Sequence, residues 1–339
     1  MTNEYNQSHE ISNYGLMKNL AAPPSIAFDV TSNCNLRCVH CFNNSGESMC
    51  SNDLTSEEKL NVARQIAEMH PFSVCLCGGE ALCCENLIEI AKIIGPNVGS
   101  LNMVSNGFAL TEKKIIELQK CQMKFVQISL DGVNPWQHDT FRGVSGSFDK
   151  AVNAIKLLKK CKMDTIATSF VPNILNYKSF IEYSDLCFEV GVDIIRIMPF
   201  IPSGRGENVG RKLIPSNSQY FRLQRSICES QTKYDGKMKI EWGDPLDHMR
   251  RMPANAQQGL NTYTMEIKSN GNLTVTTYLP IIVGNVRLHT LQEYWDAGYN
   301  YIWKNKDVLK HIEKIQNIYD FEHFVPAPYS GEYITVDIL

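Results

Sequence analysis

Residues 24–42 read PSIAFDVTSNCNLRCVHCF, and the reading of this stretch decides the fold. Its first half, from Ser25 to Val30, is an apolar run of strand length. Its second half is a polar loop carrying Cys34, Cys38 and Cys41 as Cys-x3-Cys-x2-Cys, with Phe42 next. Three thiolates on one short loop can hold three irons of a [4Fe–4S] cube and leave the fourth iron without a protein ligand. An open iron can take a substrate, as the open position on a catalytic zinc does. Zinc binding and isolated structural thiols are the alternatives. Zinc usually wants four ligands at paired spacings, and His40, inside the loop, is poorly placed to share the chelate of a small cube.

Downstream, two hydrophobic periods alternate. Strand-length runs lie near Phe72–Leu76, Val98–Val104, Phe125–Leu130, Thr165–Val171 and Ile194–Met198. Helical stretches lie between them, near Ser56–Met69, Glu85–Ile94, Glu112–Lys120, Phe148–Lys160 and Tyr177–Glu189. Thr55 before Glu57 and Glu58, and Thr111 before Glu112, supply helix-start chemistry. Parallel strands need crossover helices, so about six βα units predict an α/β fold, a partial (β/α)6 TIM-like barrel over 24–214 after an N-terminal tail at 1–23. The active site of such an architecture sits at the C-terminal ends of the strands. The distinctive residues fall there: the cysteines after strand one, Gly78-Gly79-Glu80-Ala81-Leu82 after strand two, Ser105-Asn106-Gly107 after strand three, Ser129-Leu130-Asp131-Gly132 after strand four, and the loop Pro202-Ser203-Gly204-Arg205-Gly206 after strand six. From 215 to 339 the texture changes. Short strands near Lys237–Trp242, Tyr263–Ser269 and Asn272–Leu279, with a turn at Asn270-Gly271, predict a smaller α+β C-terminal extension covering the barrel opening.

Composition narrows the class. Lys and Arg number 33 against 36 Asp and Glu, a net charge of −3, so nothing electrostatic points to a nucleic-acid partner. No apolar run approaches the roughly 20 residues that cross a bilayer. The start, MTNEYNQSHEISNYG, lacks the basic and apolar regions of a secretory signal. A cytoplasmic, reducing setting without a membrane partner is expected. In that setting 12 cysteines point to metal or redox chemistry, and all of them lie at or before Cys228.

The cysteine loop with Phe42 resembles the radical S-adenosylmethionine (radical SAM) superfamily, and the resemblance covers roughly residues 24–200. It implies that Cys34, Cys38 and Cys41 hold one [4Fe–4S] cluster, that S-adenosylmethionine chelates the open iron, and that Phe42 lies near the adenine. Gly78, Gly79 and Glu80 resemble the family's Gly-Gly-Glu-Pro segment, with Ala81 in place of the proline. Glycine lets backbone approach a ligand, and a glutamate can pair with the methionyl ammonium. Ser105, Asn106 and Ser129 match third- and fourth-strand cofactor motifs, while Asp131 can equally organise its loop. Arg142 is the candidate for the methionyl carboxylate, with a salt bridge as the alternative role. Met198, with Ser169 and Asn176, is a further cofactor-contact candidate. Arg205 either meets an anionic substrate or braces the loop.

Residues 228–300 resemble the SPASM or twitch extension of the same superfamily, whose auxiliary clusters are held by cysteines. Here Thr277 stands where one such cysteine is common, so a single cluster is expected and Cys75, Cys77, Cys83 and Cys84 are read as structural thiols. The family implies reductive cleavage of S-adenosylmethionine by an electron from an external flavodoxin- or ferredoxin-type donor, and hydrogen abstraction by a 5′-deoxyadenosyl radical. The expected substrate is a peptide or amino-acid-derived molecule of natural-product (RiPP) biosynthesis. The tail before Pro24 is too short for a separate leader-binding domain, which keeps open a dehydrogenase, epimerase or rearrangement enzyme acting on a sugar or nucleoside. Cobalamin-dependent methyl transfer and a non-enzymatic iron–sulfur scaffold fit the motifs less well. Epimerisation needs a hydrogen donor, usually a thiol, for which Cys228 and then Cys50 are the candidates.

Overall fold

In the computed structural model the described residues are 17–46, 52–323, 334–336 and 338–339. One sheet of eleven strands organises them. Seven strands run parallel in chain order: β1 (Ser25–Thr31), β2 (Ser73–Gly78), β3 (Ser100–Ser105), β4 (Met123–Ser129), β5 (Thr165–Phe170), β6 (Ile194–Ile197) and β7 (Lys239–Trp242). Between them run the helices α1 (Ser56–Met69), α2 (Leu87–Ile94), α3 (Glu112–Lys120), α4 (Pro135–Arg142), α5 (Ser147–Lys160), α6 (Phe180–Val190), a single turn α7 (Gly210–Leu213) and α8 (Asn217–Lys233).

Strand alternation assigns the two faces. Ile26, Phe28 and Val30 of β1, with Val74 and Leu76 of β2, join the buried core with Val62 and Ile66 of α1. The intervening positions, Asp29 and Cys77 among them, point to the concave side. Helix α1 opens on the expected threonine: Thr55 and Glu58 form a reciprocal capping box.

The sheet is an open, partial barrel, as the βα count requires, with two additions. Lys239–Trp242, expected within the extension, instead pairs in parallel with β6 as a seventh barrel strand. On the other edge β8 (Thr264–Ile267) pairs in parallel with β1. It turns through Gly271 into antiparallel β9 (Asn272–Thr274), and β10 (Ile281–Asn285) and β11 (Ile334–Thr335) follow in the same sheet. Strands β11 and β7 are the two edges of the sheet, and α9 (Pro245–Gln257) connects β7 to β8 in sequence. Helix α10 (Leu291–Ala297) then packs against α1.

Candidate active site

The cysteine loop leaves β1 at the C-terminal rim and is tied down from two sides. Val39 N–H donates to the Phe141 carbonyl at the end of α4 (3.0 Å). Arg205, beyond β6, donates Nε to the Cys38 carbonyl (2.9 Å) and Nη1 to the Ser45 carbonyl (2.7 Å) and Asn44 Oδ1 (3.1 Å). Of the two roles left open for Arg205, the structure shows the brace. His40 lies flat on Phe141, ring centroids 3.8 Å apart and planes 4° apart. Burial lowers its pKa far below the usual imidazole range, so the ring is a neutral packing element.

Cys34, Cys38 and Cys41 all line one cavity of about 340 Å3 at this rim. Hydrogen-bond donors face two of the sulfurs: Leu36 N–H at 3.4 Å and Asn106 Nδ2 at 3.9 Å from Cys34 Sγ, and Arg142 Nη1 at 3.8 Å from Cys38 Sγ. Among the described residues no three His, Cys, Asp or Glu side chains converge on a point suited to a single metal ion. Three thiols on one cavity wall, with no fourth protein ligand in the loop motif, fit the protein side of a cube that leaves one iron open. Burial pushes the Cys34 thiol up to about 12 and raises Cys38 against the pull of Arg142. Thiols this reluctant to ionise become thiolates when iron displaces the proton.

The second and third motifs form one unit with this loop. Gly78 adopts φ +123°, and a Cβ there would stand 2.4 Å from the Thr31 carbonyl oxygen. At Gly79 a Cβ would stand 2.3 Å from the Asn33 carbonyl oxygen. Both glycines line the cavity, but what forbids a side chain is the backbone of the cysteine-loop entry, packed directly against them. Gly79 N–H donates to Thr31 O and Glu80 N–H to Asn33 O, each at 2.8 Å. The buried Glu80 carboxylate accepts from Ser105 Oγ (2.7 Å), Asn106 N–H (2.7 Å) and Leu82 N–H (3.0 Å). Burial raises its pKa in spite of those donors.

On the opposite wall Arg142 donates Nε to Asp131 Oδ2, and its Nη2 is equally close, both at 2.6 Å. Asp131 Oδ1 accepts from Val171 N–H at 2.7 Å. Burial works against the guanidinium charge, yet the Asp131 carboxylate outweighs it and the Arg142 pKa is raised. The alternatives for Asp131 and Arg142 are thus combined: the pair organises the wall, and Arg142 still lines the cavity. Phe42, Ser129, Ser169 and Met198 line it as well. Asn176 does not; it braces the loop by donating to the carbonyls of Asp131 and Val171 (both 2.9 Å).

Cys228 is exposed on α8 and does not belong to this cavity, so the structure does not bring it to a substrate held there. Cys50 lies outside the described residues. Sequence reasoning missed a polar group on the concave face. Asp29 and Cys77 line the cavity, and behind them Lys268 Nζ lies 3.3 Å from Asp29 Oδ2, 3.5 Å from Glu266 Oε2 and 3.3 Å from Thr277 Oγ1. The available signal was alternation, which puts Asp29, Cys77, Glu266 and Lys268 on the inner face of β1, β2 and the β8 strand line. A larger cavity of about 600 Å3, between α9 and β8, is lined by His248, Trp303 and Glu266 but by none of the rim motifs.

The family model described as the Radical SAM superfamily matches residues 28–187, which contain the cysteine loop and most of the cavity wall. Residues 28–187 of the chain are a radical SAM superfamily domain. Its cofactors are accordingly a [4Fe–4S] cluster and S-adenosylmethionine. The chain is 26% identical over 293 residues to the AdoMet-dependent heme synthase of Methanosarcina barkeri, covering 81% of this chain and 82% of that one. It is 26% identical over 309 residues to the mycofactocin maturase MftC of Mycolicibacterium smegmatis, covering 88% and 75%. In fold it is similar to SuiB of Streptococcus suis bound to S-adenosylmethionine, with TM-score 0.68 and 17% identity over 95% of this chain and 81% of that one. It is also similar to SuiB bound to its precursor peptide SuiA, with TM-score 0.65 and 17% identity over 92% and 77%. This radical SAM chain has no helix, among the described residues, long and apolar enough to cross a membrane.

Proposed function

We propose that this chain abstracts hydrogen from a peptide or amino-acid-derived substrate in the biosynthesis of a ribosomally made natural product. The observation that carries the reading is the meeting, in one cavity, of three loop thiols with the residues of the following rim motifs. When bound, the cluster and S-adenosylmethionine supply reductive cleavage to a 5′-deoxyadenosyl radical. The chain supplies position. Cys34, Cys38 and Cys41 hold the cluster. Glu80, fixed by Ser105 and Asn106, would take the cofactor amine, and Arg142, fixed by Asp131, would take its carboxylate. Phe42, Gly78, Gly79, Ser129 and Met198 wall in the rest. Thr277 and Tyr278 reach the same cavity from the C-terminal part, which supports residues 215–339 as its substrate-covering portion. The electron comes from an external flavodoxin- or ferredoxin-type protein in a reducing cytoplasm.

The peptide class is supported by the likeness to a maturase over 88% of the chain and by the fold shared with a protein solved with its precursor peptide. The heme synthase among the relatives favours a second reading, a non-peptide small molecule. The test is anaerobic mass spectrometry of cluster-loaded protein with S-adenosylmethionine and dithionite, beside Cys38→Ala. 5′-Deoxyadenosine that disappears in the variant supports the radical reading, and its absence from the cluster-loaded wild type overturns it. Transfer of deuterium from labelled peptide or labelled porphyrin into 5′-deoxyadenosine then separates the two substrate classes.

A further inference from the structure

Beyond the loop triad, Cys77 is the cysteine among the described residues that lines the cavity. Cys75, two residues earlier on β2, and Cys83 and Cys84, just past the glycines, do not. Cys77 Sγ donates to Asp29 Oδ1 across the β1–β2 pairing, at 3.2 Å. The buried Lys268 ammonium stands 3.3 Å from the other Asp29 oxygen and compensates that carboxylate from behind. Ionising the sulfur would set a thiolate against a carboxylate in a water-poor wall. Interaction with Cys75, burial and Asp29 all raise the Cys77 pKa well above the ordinary thiol value. The side chain is therefore a neutral S–H, poor as a nucleophile or metal ligand. An S–H bond is nevertheless weaker than the C–H bond an alkyl radical gains by taking its hydrogen.

We propose that Cys77 is the hydrogen-atom donor to carbon-centred radicals formed in this cavity, an inference that rests on the radical SAM reading above. The step balances as follows. The Cys77 S–H bond breaks, a C–H bond forms on the radical carbon, and a Cys77 thiyl radical remains. One electron from the low-potential donor that also reduces the cluster, together with one solvent proton, restores the thiol. Asp29 acts as a positioning residue, holding the S–H on the cavity side of β2, and its charge favours reprotonation over a lasting thiolate. Donation of this kind returns hydrogen to a substrate radical, so it fits redox-neutral outcomes such as epimerisation.

The test runs cluster-loaded protein, S-adenosylmethionine and dithionite, without substrate, in D2O. The readout is the isotope content of 5′-deoxyadenosine, not its rate of formation. Because the thiol exchanges with solvent, the wild type should give mono-deuterated product. Cys77→Ser and Cys77→Ala should give product with deuterium lost to the natural-abundance background, while retaining S-adenosylmethionine binding by calorimetry. Cys228→Ala should keep the deuterium. Deuterated product from the Cys77 variants, or undeuterated product from the wild type, overturns the proposal. No 5′-deoxyadenosine from any of these proteins overturns the radical reading beneath it, so the two failures are distinguishable.

Discussion

Arg142 meets Asp131 at 2.6 Å through both Nε and Nη2, while its Nη1 lies 3.8 Å from Cys38 Sγ. One buried cation is thus shared between a carboxylate that fixes it and a sulfur of the cysteine loop. Removing one partner of such a pair strands the other charge, which costs about 3–5 kcal/mol. Asp131→Ala should lose that much in denaturant unfolding, and Asp131→Asn should lose less because it still accepts from Val171. A loss in Asp131→Ala below about 1 kcal/mol, the range of exposed pairs, would mean that the pair is not the buried clamp described.

The three loop thiols predict a metal count. Reconstituted wild type should hold the iron and acid-labile sulfide of a single [4Fe–4S] cluster per chain. Cys34→Ser, Cys38→Ser or Cys41→Ser should each lose most of it. Thr277 lines the cavity wall, and the resemblance to SPASM and twitch extensions implies a cysteine at that position for a second ligand set. Iron and sulfide for two clusters in the wild type would contradict this assignment.

Gly79 offers a steric test of the contact between two motifs. A Cβ added there meets the Asn33 carbonyl oxygen at 2.3 Å and the Ser32 carbonyl oxygen at 2.5 Å, backbone atoms that cannot swing away. Gly79→Ala should therefore cost about 1–3 kcal/mol by overpacking. It should also lower cluster loading, because the atoms displaced belong to the turn that enters the cysteine loop. Unchanged loading with unchanged stability would show that the loop relaxes freely.

The barrel and its rim were legible because they depend on local signals. Thiol spacing, glycine pairs at strand ends and two hydrophobic periods are all readable within a few residues. What was not legible depends on pairings distant in the chain. Lys239–Trp242 is only four residues long and follows α8, so nothing local announces that it joins β6. The charged cluster behind the cavity joins Asp29 to Lys268 across more than two hundred residues, through the parallel pairing of β1 with β8. Cys77 looked like one more apolar-strand thiol until its neighbour Asp29 was placed across the strand pair. The glycines of the second motif, read toward the ligand, line the cavity, and the added constraint from the Thr31 and Asn33 backbone depends on a loop packing that local sequence does not announce.

Glu58 gives a pH prediction. It caps α1 and accepts from Arg287 Nε at 2.7 Å, joining the first helix to the segment after β10. The Arg287 hydrogen bond, then the Thr55 backbone, lower its pKa to about 2. A carboxyl depressed in the folded state contributes stability that is fully present above its unfolded value, about 4.3. That contribution is lost as pH falls through the folded value. Both side chains are partly exposed, so the pair is worth about 0.2–1 kcal/mol. Glu58→Gln should be less stable than wild type at neutral pH, and the difference should close between about pH 4.3 and pH 2. A constant difference across that window would show that the carboxylate charge is not the source.

Lys268 should show the opposite sign. Burial opposes its charge, but Asp29 and then Glu266 prevail and raise its pKa, so the ammonium is held between the buried Asp29 carboxylate and the partly buried Glu266 carboxylate. Lys268→Met leaves both acids without their cation, and the cost should be about 3–5 kcal/mol at neutral pH. Burial already raises the Glu266 pKa against the pull of Lys268, and without that cation it rises further, so the folded state binds more protons than the unfolded one. Stability relative to wild type must then rise as the pH falls through that raised value, where Glu266 becomes neutral. Adding Asp29→Asn should recover part of the loss at neutral pH and weaken the pH dependence, because one of the stranded charges is gone. Urea denaturation of the single and double variants from neutral to mildly acid pH decides it. A Lys268→Met deficit that stays flat with pH, or a double variant less stable than the single one, would mean that the ammonium is not the counter-charge of Asp29.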